Sequence, residues 1–269
     1  MTLRGKTVVI TGASRGIGRS IALRCARDGA NIVIAAKSIE EGGKLPGTIF
    51  SVAKEVEECG GKALGVQVDV RDNESLESMA TQAAEEFGGI DILVNNAGAI
   101  RLTSTAETLP KFYDLMQAVN TRATFMATRA CLPYLEKSKI AHVLNLSPPI
   151  SFDARWLQNN VAYTISKYGM TLCTLGMSAE FADKDICVNS LWPRTTIDTA
   201  AVSMLMGNTA WQHSRKPDII ADAAYEIFSS RVTGQTLIDE DFLRSRGVSD
   251  FTKYACQPGT ELFPDFYVD

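Results

Sequence analysis

The side chains best suited to chemistry are Tyr163 and Lys167, a phenol and an ammonium in the run Tyr163-Thr164-Ile165-Ser166-Lys167. Residues four apart share one face of a helix, so the cation would lie beside the phenol. A neighbouring cation favours phenolate and draws a tyrosine down from its usual value of about 10. Such a hydroxyl serves as general acid in carbonyl reduction and as general base in alcohol oxidation. The spacing occurs once among the seven tyrosines of the chain. A redox step of this kind needs a hydride carrier, and the first segment offers a place to hold one. There the β-branched run Thr7-Val8-Val9-Ile10-Thr11 passes into Gly12-Ala13-Ser14-Arg15-Gly16-Ile17-Gly18. A buried strand, a glycine-rich turn and a helix together present backbone N–H groups and a helix dipole to a phosphate.

Three kinds of loop compete for that turn. A Walker loop would need glycine where Ala13 stands. Gly12-Ala13-Ser14-Arg15-Gly16 matches the G-x-S-x-G elbow of hydrolases, but an elbow follows earlier strands, and its histidine would have to be His142 or His213. The spacing G-x-x-x-G-x-G suits a dinucleotide, with Gly12, Ser14, Arg15, Gly16, Ile17 and Gly18 around it. A glycine-rich connection that binds nothing is the plain alternative. The second strand ends Ile34-Ala35-Ala36-Lys37-Ser38, with no carboxylate at its tip to bond a ribose 2′-hydroxyl. Lys37 and Arg15 would instead meet a 2′-phosphate, which selects NADP(H) over NAD(H). Glu40 and Glu41 stand nearby and weigh against that choice, and simple solvation of the two cations is the competing reading. The third strand ends at Asp69-Val70, where Asp69 would bond the adenine amino group or cap the helix expected from Asn73. Asn96-Ala97-Gly98 after the fourth strand suits close passage of backbone past a cofactor, and equally a plain turn.

These groups need a scaffold, and the chain alternates the elements of one. β-branched runs at 6–11, 31–36, 63–68, 91–95, 140–146, 186–192 and 235–238 read as strands. Helical patterns lie near 16–29, 48–59, 73–87, 110–137, 160–182 and 217–229. That alternation implies βαβ crossovers and a parallel sheet covered on both faces. Two segments look irregular: 38–47 with its Gly42-Gly43 and Pro46-Gly47, and 247–269, an ordered tail rich in aromatics. No linker or repeat breaks the rhythm, so one domain over 1–269 is expected. A hydrophobic content of 45% and a charged content of 22% are those of an ordinary globular domain. The net charge of −4 speaks against nucleic acid or an anionic membrane as partner. Six scattered cysteines and two histidines suggest neither a disulfide framework nor a metal site. No signal peptide is expected ahead of the first strand, and no apolar run nears the roughly 20 residues of a membrane span. A cytoplasmic protein acting on a small molecule is the expectation.

Taken in order, Gly12/Gly16/Gly18, Asp69, Asn95-Asn96-Ala97-Gly98, Asn120 and Tyr163/Lys167 resemble the short-chain dehydrogenase/reductase family over nearly the whole chain. The resemblance implies a Rossmann doubly wound sheet of seven strands in the order 3-2-1-4-5-6-7. It implies Tyr163 as proton donor or acceptor and Lys167 as holder of the nicotinamide ribose hydroxyls, tuning Tyr163. It implies Asn120 as the holder of a relay water, and Pro193, Thr195 and Thr196 beside the nicotinamide. Stretches at 34–37, 145–149, 191–195, 218–225 and 264–266 are similar to one branch whose animal members continue into a sterol-carrier domain. The chain is expected to end at Asp269 without that domain and without a peroxisomal signal. That branch points to an aliphatic, isoprenoid or acyl substrate.

Two positions depart from the family pattern. Pro148 stands where a serine usually faces the substrate carbonyl, leaving Ser147 or Ser151 to substitute, with Ser147 preferred. A one-residue shift on a strand normally turns a side chain away, although the Pro148-Pro149 pair can bend the chain back. Arg194 follows Pro193 where glycine is usual, and would meet an acidic substrate group or point outward. A cofactor-binding regulator with weak catalysis is therefore the alternative to an NADP(H)-dependent oxidoreductase. The helices near 110–137 and 160–182 are apolar on more than one face, which suggests a homodimer or homotetramer. Segment 194–215, without an assigned element, is the candidate lid.

Overall fold

The computed structural model describes residues 2–40 and 46–268. Seven parallel strands form one sheet in the order β3-β2-β1-β4-β5-β6-β7. They are β1 Thr7–Thr11, β2 Asn31–Ala36, β3 Lys62–Gln67, β4 Ile92–Asn95, β5 His142–Asn145, β6 Cys187–Trp192 and β7 Thr236–Ile238. The central strands are buried on both faces, which is why they read as unbroken apolar runs rather than alternating ones. The edge strand β3 is partly exposed.

Helices cover both faces. One core contains Ile10, Ile21, Ile32, Val52, Ile220 and Phe228, where α1 (Gly16–Ala26), α2 (Ile49–Glu58) and α9 (Asp218–Phe228) meet the sheet. The opposite core contains Val9, Val33, Met79, Leu93, Cys131 and Met177 beneath α3 (Asn73–Phe87), α5 (Ala123–Leu135) and α7 (Val161–Glu180). Strand β1 pairs with β2 on one side and with β4 on the other, so the chain reverses its direction of winding there. Ligands of open α/β sheets bind in the crevice that such a reversal opens at the carboxyl ends of the strands.

Three segments differ from the sequence expectation, and the tail is seen in detail. The region 110–137 is not one helix but α4 (Pro110–Met116), a π-helical segment Gln117–Arg122, and α5. One widened turn barely disturbs the apolar spacing, so periodicity does not reveal it. The segment 194–215, between β6 and α9, holds α8 (Ala200–Met206) and a 3₁₀ turn Ala210–His213, and is largely built rather than irregular; the short α6 (Ala154–Leu157) precedes α7. A further helix, α10 (Asp239–Ser245), follows β7 directly. The tail 247–268 has a 3₁₀ turn at Thr252–Tyr254 and antiparallel bridges from Pro264 to Thr195 and from Ala255 to Arg215. Of the irregular stretch 38–47, residues 41–45, including Glu41 and Gly42-Gly43, lie outside the described residues.

Candidate active site

The glycine turn joins β1 to α1. Gly12 has φ +68°, in the region favouring glycine, and a Cβ on it would meet Ala97 Cα at 2.9 Å. A Cβ on Gly18 would meet the Gly12 carbonyl oxygen at 2.8 Å. The turn is thus packed directly on the chain after β4, and Asn96 fastens the two. Its Nδ2 donates to the Thr11 carbonyl at 2.9 Å and to the Gly12 carbonyl at 3.1 Å. Thr11 Oγ1 accepts from Asn96 N and Ala97 N, both at 3.1 Å. Asn96 and Ala97 therefore brace the cradle from below. The N-terminus of α1 carries no capping side chain and no acid in its first turn, whereas Thr48 caps α2 and Asp72 caps α3. Uncapped N–H groups beside glycines fit a dinucleotide pyrophosphate. Ser14 is buried in the turn; Gly16 and Ile17 open α1.

The carboxyl ends of β2 and β3 gather cations. Arg15 donates to the Pro46 and Gly47 carbonyls, both at 2.9 Å, and to Ser38 Oγ at 3.0 Å. Lys37 Nζ donates to Asp69 Oδ2 at 3.0 Å, and Arg71 grips the same carboxylate from Nε and Nη2. The Arg71 and Lys37 bonds hold Asp69 well below the usual carboxylate range, against its partial burial. Here Asp69 anchors two cations, and the capping role falls to Asp72, whose carboxylate accepts from Glu74 N at 3.1 Å. Val70, next in sequence, is buried.

Asn120 sits in the π-helical segment and is fully buried. Its Oδ1 accepts from Ala99 N at 2.8 Å, while Nδ2 donates to the Ala99 carbonyl at 2.9 Å and to Ser166 Oγ at 2.8 Å. Ser166 Oγ in turn donates to the Tyr163 carbonyl at 2.7 Å. Asn120 thus braces the Gly98 loop against α7.

Tyr163 and Lys167 lie together on the buried face of α7, 7% and 6% exposed. Lys167 Nζ donates to the Leu146 carbonyl at 2.6 Å, lies 3.5 Å from Met170 Sδ, and sits 5.1 Å from the Trp192 ring centroid. Burial brings Lys167 down to about 8, opposed by the charge of Asp265. Burial, then the neighbouring Tyr267 and Asp265, push Tyr163 well above the usual phenol value, while the ammonium is turned to Leu146.

Ser147 is the preferred substitute for the serine displaced by Pro148. It is fully buried, with Oγ 3.0 Å from Thr171 Oγ1 two turns along α7 from Tyr163, as the alternation of side chains past β5 dictates. Ser151 Oγ accepts from Asp153 N at 3.2 Å, and its backbone is clamped by the Tyr168 hydroxyl at 2.8 and 3.1 Å. Arg194 faces α10: its N donates to Asp239 Oδ1 at 2.9 Å and its guanidinium pairs with Asp241. Pro193 leads into Thr195 and Thr196, which the tail covers. Thr196 N donates to the Phe263 carbonyl at 2.9 Å, Thr195 bridges Pro264, and Thr195 Oγ1 is buried without a partner. Among the described residues no cluster of His, Cys, Asp or Glu is gathered to hold a metal ion, and no helix is long and apolar enough to cross a membrane.

Arg71 and the tail residues Asp265 and Tyr267 escaped sequence reasoning. The aromatics of the tail signalled packing, but nothing in the run Pro264-Asp265-Phe266-Tyr267 says where a distant tail lands. Tyr267 OH lies 3.0 Å from Thr164 Oγ1, the residue after Tyr163.

A seven-stranded sheet of this order, with a glycine turn on β1 and a Tyr/Lys pair on α7, is the frame of a short-chain dehydrogenase. The family model described as short chain dehydrogenase matches residues 6–208, and the chain belongs to that family of nicotinamide-dependent oxidoreductases. It is similar to hydroxysteroid dehydrogenase-like protein 2 of Bos taurus, 56% identical over 269 residues that make up 99% of this chain and 64% of the bovine protein. The chain thus spans less than two thirds of that relative. Among solved structures it is similar to a putative dehydrogenase from Xanthomonas campestris, with TM-score 0.97, 46% identity and all of both chains covered. It is also similar to a metagenomic short-chain oxidoreductase in complex with NADP, with TM-score 0.71, 26% identity, and 88% of this chain and 98% of that one covered.

Proposed function

We propose that the protein is an NADP(H)-dependent oxidoreductase that interconverts a carbonyl and a secondary alcohol on an aliphatic, isoprenoid or acyl substrate. The pairing of Tyr163 with Lys167 on the buried face of α7 carries this reading. The bound nicotinamide supplies or accepts the hydride. In reduction the Tyr163 hydroxyl gives its proton to the substrate oxygen as charge develops there; in oxidation the same oxygen receives it. A phenol pushed up by burial keeps its proton until that moment. Lys167 holds the ribose hydroxyls and its positive charge favours the phenolate that remains. Asn120 fixes α7 through Ser166, which keeps Tyr163 in place.

Arg15 and Lys37, with no acid at the tip of β2, support selection of the 2′-phosphate, and the solved neighbour with NADP is in keeping with it. A cleft of about 340 Å³ at the start of α7 is lined by Thr105, Thr108, Pro110, Tyr113, Asp114, Val161 and Ala162. Its mostly apolar walls, the exposed Met204 and Leu205 of α8, and the name of the bovine relative favour a lipid-like substrate over a sugar. The unit is read as one domain over 1–269 and a homodimer or homotetramer through α5 and α7, whose Phe125, Ile165, Leu172 and Leu175 are exposed. Six free cysteines suit a cytoplasmic location.

The burial of Ser147 favours one second reading, an NADP(H)-binding regulator of weak catalysis, since loss of such a donor costs about 10²–10³ in turnover. A panel of aliphatic, isoprenoid, acyl and sugar carbonyls with NADPH separates the two. The oxidoreductase consumes NADPH with at least one lipid-like carbonyl; tight NADPH binding without consumption across the panel would leave the regulator.

A further inference from the structure

The C-terminal tail runs as a strap across the residues that flank the Tyr/Lys pair. Asp265 N donates to the Arg194 carbonyl at 3.1 Å, and the Phe266 carbonyl accepts from Trp192 Nε1 at 2.8 Å. Pro264 bridges Thr195 on one side of Asp265, and Tyr267 OH reaches Thr164 on the other. Both neighbours of Asp265 are therefore fixed beside Trp192, whose ring centroid lies 5.1 Å from Lys167 Nζ. Tyr163, Trp192, Phe266 and Tyr267 pack there in one cluster.

Lys167 has an ammonium buried against neutral groups, the Leu146 carbonyl, the Met170 sulfur and the Trp192 ring. A buried ammonium without a nearby anion tends to lose its proton. Resting on the reading of Tyr163 and Lys167 as the catalytic pair, we infer that Asp265 is a positioning residue for the reaction: the strap sets its carboxylate opposite Lys167, where it keeps that ammonium charged.

The charges around this carboxylate come from three elements. Lys167 and Tyr163 face it from α7, Asp239 from α10, and Tyr267 from the strap itself. Burial raises Asp265 to about 7; the Phe266 N–H bond and Lys167 oppose this, and Asp239 adds to it. Asp239 is itself lifted to about 6 by burial, and its Oδ2 has no partner. The raised Asp265 carboxyl and the lowered Lys167 ammonium thus titrate close together, at about 7 and about 8. Opposite charge favours the charged form, so removing the carboxylate lowers the lysine's midpoint and, with it, the basic limb of the pH–rate profile.

The test is an NMR titration of Lys167 in protein carrying labelled lysine, the signal assigned by its loss in Lys167→Met. Asp265→Asn keeps an oxygen for Phe266 N and removes only the charge. The lysine midpoint should fall by about one unit in Asp265→Asn and stay near wild type in Asp265→Glu. An unchanged midpoint in Asp265→Asn overturns the inference, whether or not the enzyme turns over. A lowered midpoint in a protein inactive on every carbonyl leaves the inference standing and removes the proposed reaction instead. If Asp265→Asn fails to fold, Asp239→Asn decides: the Asp265 carboxyl should then titrate below its wild-type midpoint, and no change there refutes the cluster.

Discussion

Replacing Gly18 by alanine tests whether the turn after β1 is a cradle shaped to its last contact. The new carbon would lie 2.5 Å from Asn96 Nδ2, 2.8 Å from the Gly12 carbonyl oxygen and 3.0 Å from Ala13 Cα. Non-bonded carbons settle at about 3.5–4.0 Å, so turn and Asn96 must part by roughly 0.5–1 Å. Two of those atoms are backbone of the turn, and Asn96 is tied to it by bonds of 2.9 and 3.1 Å. Overpacking costs about 1–3 kcal/mol, and a strained or lost hydrogen bond about 1 kcal/mol more. With about 2 kcal/mol falling on the cofactor-bound turn, affinity drops by roughly 30-fold. Fluorescence titration with NADPH should give a Kd about tenfold to hundredfold above wild type, with Tm lower by a few degrees. Gly176→Ala on α7 meets nothing within 4 Å and serves as the control, binding as wild type. Gly18→Ala that binds NADPH within about twofold of wild type would falsify the argument.

Three further outcomes follow from separate parts of the molecule. Arg15→Ala and Lys37→Ala should each weaken NADPH by about tenfold to hundredfold and leave NADH nearly unchanged, since a charge-assisted bond is worth about 1.5–3 kcal/mol; equal losses for both cofactors, read by the same titration, would refute the 2′-phosphate site. His142 is buried on β5 and brought down to about 4 chiefly by burial, so the unfolded chain binds its proton first as pH falls below about 6.5. Stability at full strength above that value should decline by up to about 3 kcal/mol towards pH 4, and His142→Leu should lose that part of the slope in urea melts; parallel slopes in the two proteins would contradict it. Leu172→Glu on the exposed face of α7 should convert the assembly to monomers by light scattering without loss of helix content, and an unchanged mass would exclude that face as the interface.

The sheet was legible because its central strands are buried on both faces, which forces continuous β-branched runs such as Thr7–Thr11 and Asn31–Ala36. The glycine turn was legible because only glycine tolerates the approach of Ala97 and Asn96. The π-helical segment around Asn120 was not, since one extra residue in a turn leaves helical spacing nearly intact. Helix α10 was hidden by its brevity and by the acids Asp239, Glu240 and Asp241 at its start, which read as loop until their partners Arg194, Arg215 and Arg244 are seen. At the site, the Tyr163/Lys167 pairing followed from i,i+4 geometry, but its electrostatics did not. Burial pushes Tyr163 up, and the charge that opposes the lowering of Lys167 is that of Asp265, in a tail about a hundred residues further along. Ser147 illustrates the same limit: its place in the sequence made it the preferred substitute for the displaced serine, while its contact with Thr171 of α7 appears only in the fold.

The central claim is that Tyr163 moves the proton. Steady-state turnover of Tyr163→Phe against wild type, on the carbonyl that the panel identifies and with NADPH affinity measured on the same samples, tests it most directly. The account predicts a fall in kcat of at least about 10²-fold with the NADPH Kd unchanged, because only the hydroxyl is removed from a ring already packed in place. Turnover retained within a few-fold of wild type would contradict it.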